Sequence, residues 1–229
     1  MKHVIIGDLH GRDVWKRINF SKYQKAVFLG DFVDSFKRTD EVILENLKRI
    51  IALKMRHTDN IILLPGNHDV QYLHYPKYFC PGFRASMQTE LSFLFQYHRD
   101  LFQMAYQRGN TIFTHAGITN TWYRRFRDSL AVFKIQSKKD NIADLINKLG
   151  LSDDRDLLYT PSLYRTDEDD DGGPLWADYI ETFNDALNGY HQVVGHSPQD
   201  SIKHYSWRGK SITYLDVLHK QTYFHEMHC

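Results

Sequence analysis

The sequence predicts an α/β fold in which two β-sheets pack together with helices outside. Three observations carry this. Three short apolar runs in the first third of the chain each end in a Gly-Asp or Gly-Asn turn, amphipathic segments lie between and after them, and beyond residue 190 the texture changes to short strands.

The first run is Val4-Ile5-Ile6 before Gly7-Asp8. The second spans 26–29, Ala-Val-Phe-Leu before Gly30-Asp31, and the third 61–64, Ile-Ile-Leu-Leu before Pro65-Gly66-Asn67. Short continuous apolar runs bounded by Gly or Pro read as buried strands of a parallel sheet. Ile43, Leu47, Ile50 and Ile51 share one helical face, with Glu45, Lys48 and Arg49 elsewhere, which predicts a crossover helix between the second and third strands. The middle of the chain reads as mainly helical. Leu91, Leu94, Phe95, Leu101 and Phe102 mark one helix; Ile142, Leu145, Ile146 and Leu149 mark another, with Ser137-x-x-Asp140 as a capping box and Gly150 as a stop. Strands are expected at 191–194, 202–205, 211–216 and 222–225, with Trp207-Arg208-Gly209-Lys210 as a hairpin turn. The parallel half is therefore expected to be followed by antiparallel strands.

A chain of 229 residues suffices for one domain with a substantial core, and 42% hydrophobic with 25% charged residues excludes disordered and fibrous classes. The net charge of +1 argues against binding long nucleic acids by phosphate neutralisation. Apolar runs fall far short of the roughly 20 residues a membrane span needs, and the N-terminus lacks a signal pattern, so a cytoplasmic protein without membrane partners is expected. Cys80 and Cys229 offer neither a disulfide framework nor a C-x-x-C zinc site, and both read as reduced thiols without chemical duty.

Five blocks carry the chemistry: Gly7-Asp8-Leu9-His10-Gly11, Gly30-Asp31-Phe32-Val33-Asp34, Gly66-Asn67-His68-Asp69, Thr114-His115-Ala116-Gly117 and Val194-Gly195-His196-Ser197. Each sets Asp, Asn or His directly after an expected strand, and active sites of such sheets lie beyond the carboxyl ends of the strands. Carboxylate, imidazole and amide donors suit Mn, Fe, Zn or Mg. They suffice for two ions, and a pair about 3.5–4 Å apart can hold both phosphate and attacking water. A dinuclear phosphoester hydrolase is predicted. Any one block alone would be a turn or a packed histidine; five in order point to a metal site.

As a set, GDLHG, GDFVD, GNHD, THAG and the late GH resemble the calcineurin-like metallophosphoesterases, and within them the branch of Ser/Thr phosphatases and diadenosine tetraphosphate hydrolases. Gly173 to Asp178, GPLWAD, is similar to that branch's Leu-Trp element. The resemblance implies a two-sheet sandwich flanked by helices, a single domain over 1–229, and mainly helical insertions at about 76–110 and 120–175. It implies that Asp8 and His10 hold one metal, that Asp31 bridges both, and that Asn67, His115 and His196 hold the second. It further implies that His68 protonates the leaving oxygen, that Asp34 orients it, and that a bridging water made acidic by two cations attacks. Manganese is the first expectation for the metals, with Fe, Zn or Mg as alternatives.

The chain departs from the branch in three places. Ser35-Phe36-Lys37-Arg38 stands where the branch continues with Arg-Gly, Asp69 where Ser/Thr phosphatases have Glu, and Ala116 where they have Gly. Another cation must then bind substrate oxygens; Arg84 and Arg38 are the candidates, with Arg12 behind them. The substrate expected is a phosphoprotein or a small phosphate ester. A dinucleotide polyphosphate or a phosphodiester is the second reading, and a catalytically silent binding scaffold, which would tolerate loss of ligands that this chain retains, the third. The acidic run Asp167 to Asp171 reads as a solvated loop, and His225-Glu226-Met227-His228-Cys229 as a frayed end.

Overall fold

The apolar runs that end in Gly-Asp and Gly-Asn turns are strands. A computed structural model describes residues 1–132, 139–166 and 171–229. Its strands are β1 (Lys2–Ile6), β2 (Lys25–Phe28), β3 (Ile61–Leu63), β4 (Tyr106–Arg108), β5 (Thr111–Phe113), β6 (His191–Val194), β7 (Lys203–Trp207), β8 (Lys210–Tyr214) and β9 (His225–His228). Its helices are α1 (Asp40–Arg56), α2 (Asn67–Leu73), α3 (Gln88–Tyr97), α4 (Asn120–Val132), α5 (Ile142–Gly150), α6 (Asp156–Tyr159) and α7 (Tyr179–Asp185). The chain divides into two compact units, Met1–Gln103 with Val217–Cys229, and Met104–Asp216. The two expected sheets are present, one in each unit, and helices accompany both.

The first unit carries a sheet of order β3-β2-β1-β9, with β1, β2 and β3 parallel. Helix α1 makes the crossover between β2 and β3. Its Ile43, Leu47 and Ile50 are fully buried in the same core as Val4, Ile6, Phe28 and Leu63, each such side chain contributing about 1.5–3 kcal/mol. Buried Asn46 on the same helix accepts from Trp15 Nε1 at 2.9 Å and donates to the Arg12 carbonyl at 3.1 Å, which ties α1 to the loop after β1. That loop and the one after β2 continue the ladder: His10 N donates to Asp31 O at 2.7 Å and Gly11 N to Phe32 O at 2.9 Å. The backbone thus brings the first two motif loops side by side at the carboxyl ends of their strands.

The second unit carries a sheet of order β4-β5-β6-β8-β7, whose centre is parallel, β5 with β6 and β6 with β8. Only its edge pairs, β4 with β5 and β7 with β8, are antiparallel, so the expectation of a purely antiparallel second half is corrected. The hairpin at 207–210 forms as expected, with Trp207 paired to Lys210.

Four further expectations need correction. The strand expected at 222–225 lies at β9 and joins the first sheet, antiparallel to β1. Phe224 packs into the first unit's core, and the alternation of half-buried and exposed residues that marks a strand begins only at His225. The C-terminus is not frayed, because Cys229 N donates to Met1 O at 3.0 Å. Helix α3 stops at Tyr97, and Leu101 and Phe102 follow on a separate 3₁₀ turn and beyond it. Helix α5 is capped by Asn141, whose side chain accepts from Asp144 N while Asp144 accepts from Asn141 N, so the capping box lies four residues later than read. Ser137 and most of the acidic run, 167–170, lie outside the described residues.

Candidate metal centre

In the first unit, Asp8 and His10 follow β1, Asp31 and Asp34 follow β2, and Asn67 and His68 open α2 after β3. The turns they ride on are strained. His10, Asp31 and Asp34 adopt positive φ of 44°, 51° and 57°, as does His196 in the second unit at 64°. For a non-glycine residue this costs about 1–2 kcal/mol. Among the described residues, four of the five such residues are expected site residues, which is how strain distributes when it holds chemical groups in place. Gly11 (φ 72°) is required for a second reason. A Cβ there would lie 2.9 Å from Ile43 Cγ1 and 3.2 Å from Arg38 Cδ, so only hydrogen fits under α1.

His10 Nδ1 lies 3.0 Å from the carbonyl of Val33 and 2.9 Å from that of Asp34. Carbonyls only accept, so Nδ1 carries the proton and, in the neutral ring, Nε2 presents its lone pair. That atom lies 3.6 Å from Asp31 Oδ2. Two donors each about 2.1 Å from one cation can be at most about 4.2 Å apart, so the pair fits a shared ion. Asp31 Oδ1 also accepts from His68 N at 3.1 Å. Donor atoms of His10, Asp31 and His68 all lie within 4.8 Å of one another. Asp8 is buried at the end of β1 and Asn67 at the start of α2, in the expected loops.

His68 Nδ1 is 3.1 Å from Asp34 Oδ2. Gln71 Nε2 donates to the same oxygen, and the Tyr72 hydroxyl to Oδ1 at 2.6 Å. Burial is the largest single influence on the His68 pKa and pulls it down. The charge of Asp31 and the bonds to Asp34 and to the Cys80 thiol together outweigh it and hold the ring well above the ordinary histidine value. Tyr72 moves up as well, through burial and then the Asp34 charge, and stays a hydrogen-bond donor.

Gln71, Tyr72 and Asp69 were not read as site residues from sequence. Asp69 is fully buried and accepts from Phe32 N at 2.9 Å and Gly66 N at 2.8 Å, so one carboxylate joins the loops after β2 and β3. The i, i+3 and i, i+4 spacing of His68 with Gln71 and Tyr72 on one helix could have signalled their shared face.

Of the arginines, Arg84 donates to Asp40, to the Ser35 carbonyl and, at 3.1 Å, to the Arg38 carbonyl, bracing the 35–40 segment. Arg38 is exposed, with its Cδ over Gly11. Arg12 donates to the Leu9 carbonyl at 3.0 Å.

In the second unit, His115 follows β5 and His196 follows its parallel neighbour β6. His115 Nε2 and His196 Nδ1 face each other at 3.1 Å. Two imidazole nitrogens sharing one proton form a donor pair that a cation can take over. The loop carrying His115 is fixed by buried Gln192 on β6, which accepts from Ile118 N at 2.8 Å and donates to Ile118 O at 2.9 Å. The GPLWAD element lies against it: Ala116 N donates to Pro174 O at 2.7 Å, and the Trp176 ring meets His196 edge-on at 5.8 Å. Arg165, which no sequence motif marked, donates to Ser197 Oγ at 3.1 Å and pairs with Asp178 at 3.0 Å.

Among the described residues no helix is long and apolar enough to cross a membrane. A family model for calcineurin-like phosphoesterases matches residues 1–223. Among solved structures, the cold-active protein tyrosine phosphatase of a psychrophilic Shewanella is similar at 18% identity, with a TM-score of 0.52 over 96% of this chain and 72% of that one. A serine/threonine protein phosphatase from Saccharomyces cerevisiae is similar at 13% identity, with a TM-score of 0.51 over 93% of this chain and 67% of that one.

Proposed function

We propose that this chain, which belongs to the calcineurin-like phosphoesterase family and is a metal-dependent phosphoester hydrolase, hydrolyses phosphate monoesters, of a phosphoprotein or a small molecule, with His68 as the general acid. The observation that carries this reading is the His68–Asp34 pair beside Asp31 and His10. In this reading Asp8, His10 and Asp31 would hold one divalent ion and Asn67, His115 and His196 another, manganese being the first choice for both. When bound, such ions polarise phosphoryl oxygens and acidify water.

The chain's own residues do the rest. Asp34, fixed by Gln71 and Tyr72, holds the proton on His68 Nδ1 and stabilises the ring as a cation, so that Nε2 can give its proton to the leaving oxygen. Arg38 is the first candidate for substrate oxygens, and Arg84, which braces the segment that presents it, the second. Arg165, beside the His196 loop, is a third.

The test is hydrolysis of an aryl phosphate by chelator-stripped chain reconstituted with Mn²⁺ or Mg²⁺, with metal content measured alongside. Restored turnover at two ions per chain, lost in Asp31→Asn, is expected. Full activity of the stripped chain would overturn the reading. A phosphopeptide and a diadenosine polyphosphate assayed side by side then separate monoesterase from polyphosphate hydrolase.

A further inference from the structure

The reaction proposed above leaves Cys80 unused, yet this thiol is buried against the acid. Its Sγ, a ring nitrogen of His68 and a carboxylate oxygen of Asp34 lie within 4.8 Å of one another. Cys80 is 7% exposed and Asp34 2%. The group has its own supporting shell. Gln71 accepts from Cys80 N at 3.1 Å through Oε1 and donates to Asp34 through Nε2, so one amide sets the spacing of thiol and carboxylate. Tyr72 holds the other carboxylate oxygen. Gly82 closes over the group with no side chain of its own; a Cβ there would sit 3.5 Å from His68 Cε1 and 3.6 Å from Asp34 Cβ.

We propose that Asp34, His68 and Cys80 form a binding site for a soft divalent cation, zinc in the first instance, and that its occupation switches off proton donation by His68. The dimensions fit. A tetrahedral zinc with arms of about 2.0–2.1 Å holds its N and O ligands roughly 3.3–3.4 Å apart, and His68 Nδ1 and Asp34 Oδ2 are 3.1 Å apart. The ion takes the position of the proton between them and displaces the thiol proton. Thiolate and carboxylate then balance the two positive charges, and water completes the fourth position. Thiolate makes the site selective, since it favours zinc, whereas Mn²⁺ and Mg²⁺ prefer carboxylate, carbonyl and water oxygens. Gln71 and Tyr72 supply the outer hydrogen bonds such sites use. A ring bound to zinc through Nδ1 holds its Nε2 proton far more tightly than an imidazolium, because losing it would leave an imidazolate. The inhibitory half of the proposal rests on His68 being the acid; the binding half does not.

The experiment titrates the Mn²⁺-loaded full chain with Cd²⁺ and Zn²⁺ at saturating Mn²⁺. It follows thiolate-to-cadmium charge-transfer absorption and aryl phosphate turnover together. One thiolate band per chain, rising as turnover falls, is expected in the parent and in Cys229→Ser. In Cys80→Ser and Cys80→Ala the band vanishes and the inhibition midpoint for Zn²⁺, relative to each variant's own turnover, rises at least about tenfold. A band that persists in both Cys80 variants, or no band in the parent, overturns the site. Cadmium bound at Cys80 without loss of turnover overturns the control of His68. A chain that shows the band but hydrolyses no phosphate ester with any metal overturns the proposed function and leaves the cation site standing.

Discussion

His68 and Asp34 are joined through Nδ1 and Oδ2 at 3.1 Å, and the carboxylate of the pair takes two further donors, from Gln71 and Tyr72. A carboxylate so fixed orients the ring and favours its charged form, which is what a proton donor to a leaving oxygen requires. His68→Ala is therefore expected to lower kcat by roughly 10²–10⁴-fold with little change in KM. The deficit should shrink as the leaving group becomes more acidic, from an alkyl to a nitrophenyl phosphate. Asp34→Asn should follow the same trend with a smaller loss. A deficit independent of leaving group, read from kcat across such a series, would remove His68 from the role of acid.

Asp69 makes a different prediction, because it touches no reacting group. Its buried carboxylate accepts two backbone N–H groups, of Phe32 and Gly66, and so locks two motif loops to each other. Asp69→Asn removes one acceptor and leaves a buried N–H unsatisfied, at a cost of about 1–3 kcal/mol. The urea midpoint should fall accordingly. Because Asp31 lies beside Phe32, metal affinity should drop about 10–100-fold as well. Unchanged affinity in a titration with Mn²⁺ would mean that the loops keep their positions without this tie.

How far the sequence could be read follows from what each feature depends on. The strands β1, β2 and β3 were legible because each is a continuous apolar run ended by a sharp turn, and both sheet and site loops follow from that grammar. Strand β4 falls in a stretch read as mainly helical, although Arg108-Gly109-Asn110-Thr111, which joins it to β5, has the Gly-Asn dipeptide of a tight hairpin and Gly109 indeed adopts φ of 56°. Each strand is three residues long, too short for periodicity to register. The partners of Asp34 were illegible for another reason: Gln71 and Tyr72 act through bonds to a residue more than 35 positions earlier. Cys80 was invisible in the same way, since its neighbourhood with His68 arises from the loop after α2 folding back.

Gly11 provides a test of the link between α1 and the first motif loop. It holds φ of 72° and has Ile43 Cγ1 where a methyl group would go, 2.9 Å from the ideal Cβ. Gly11→Ala meets both penalties, and Ile43 is fully buried in the core and cannot yield freely. We expect a loss of about 1–3 kcal/mol in unfolding free energy together with weaker metal binding. Gly109→Ala, at positive φ but with open space around the added methyl, is the control and should lose stability while leaving metal affinity intact. Equal effects of the two on metal binding would show that packing under α1 does not set the loop.

Asp185 carries the pH prediction. Its carboxylate accepts from Thr121 N at 2.8 Å, Thr121 Oγ1 at 2.9 Å and Asn120 Nδ2 at 2.8 Å, and thus caps the first turn of α4 from 64 residues away. Burial raises its pKa, but the bonds to Asn120 and Thr121 outweigh burial and leave it below the ordinary aspartate value. A carboxyl group whose folded pKa lies below its unfolded one binds fewer protons when folded. Its stabilisation is fully present above the unfolded value near 3.9 and is lost as pH falls through the folded one. Asp185→Ala should therefore lower stability by about 1–2 kcal/mol at neutral pH. The difference between parent and variant should narrow as pH falls below about 4 and through the lower folded value, as protonation removes the charge-dependent part of the parent's advantage. Denaturant midpoints of the two chains at pH 7, 5 and 3 read this directly. A difference that stays constant down to pH 3 would mean that the capping bonds do not depend on the charge of Asp185.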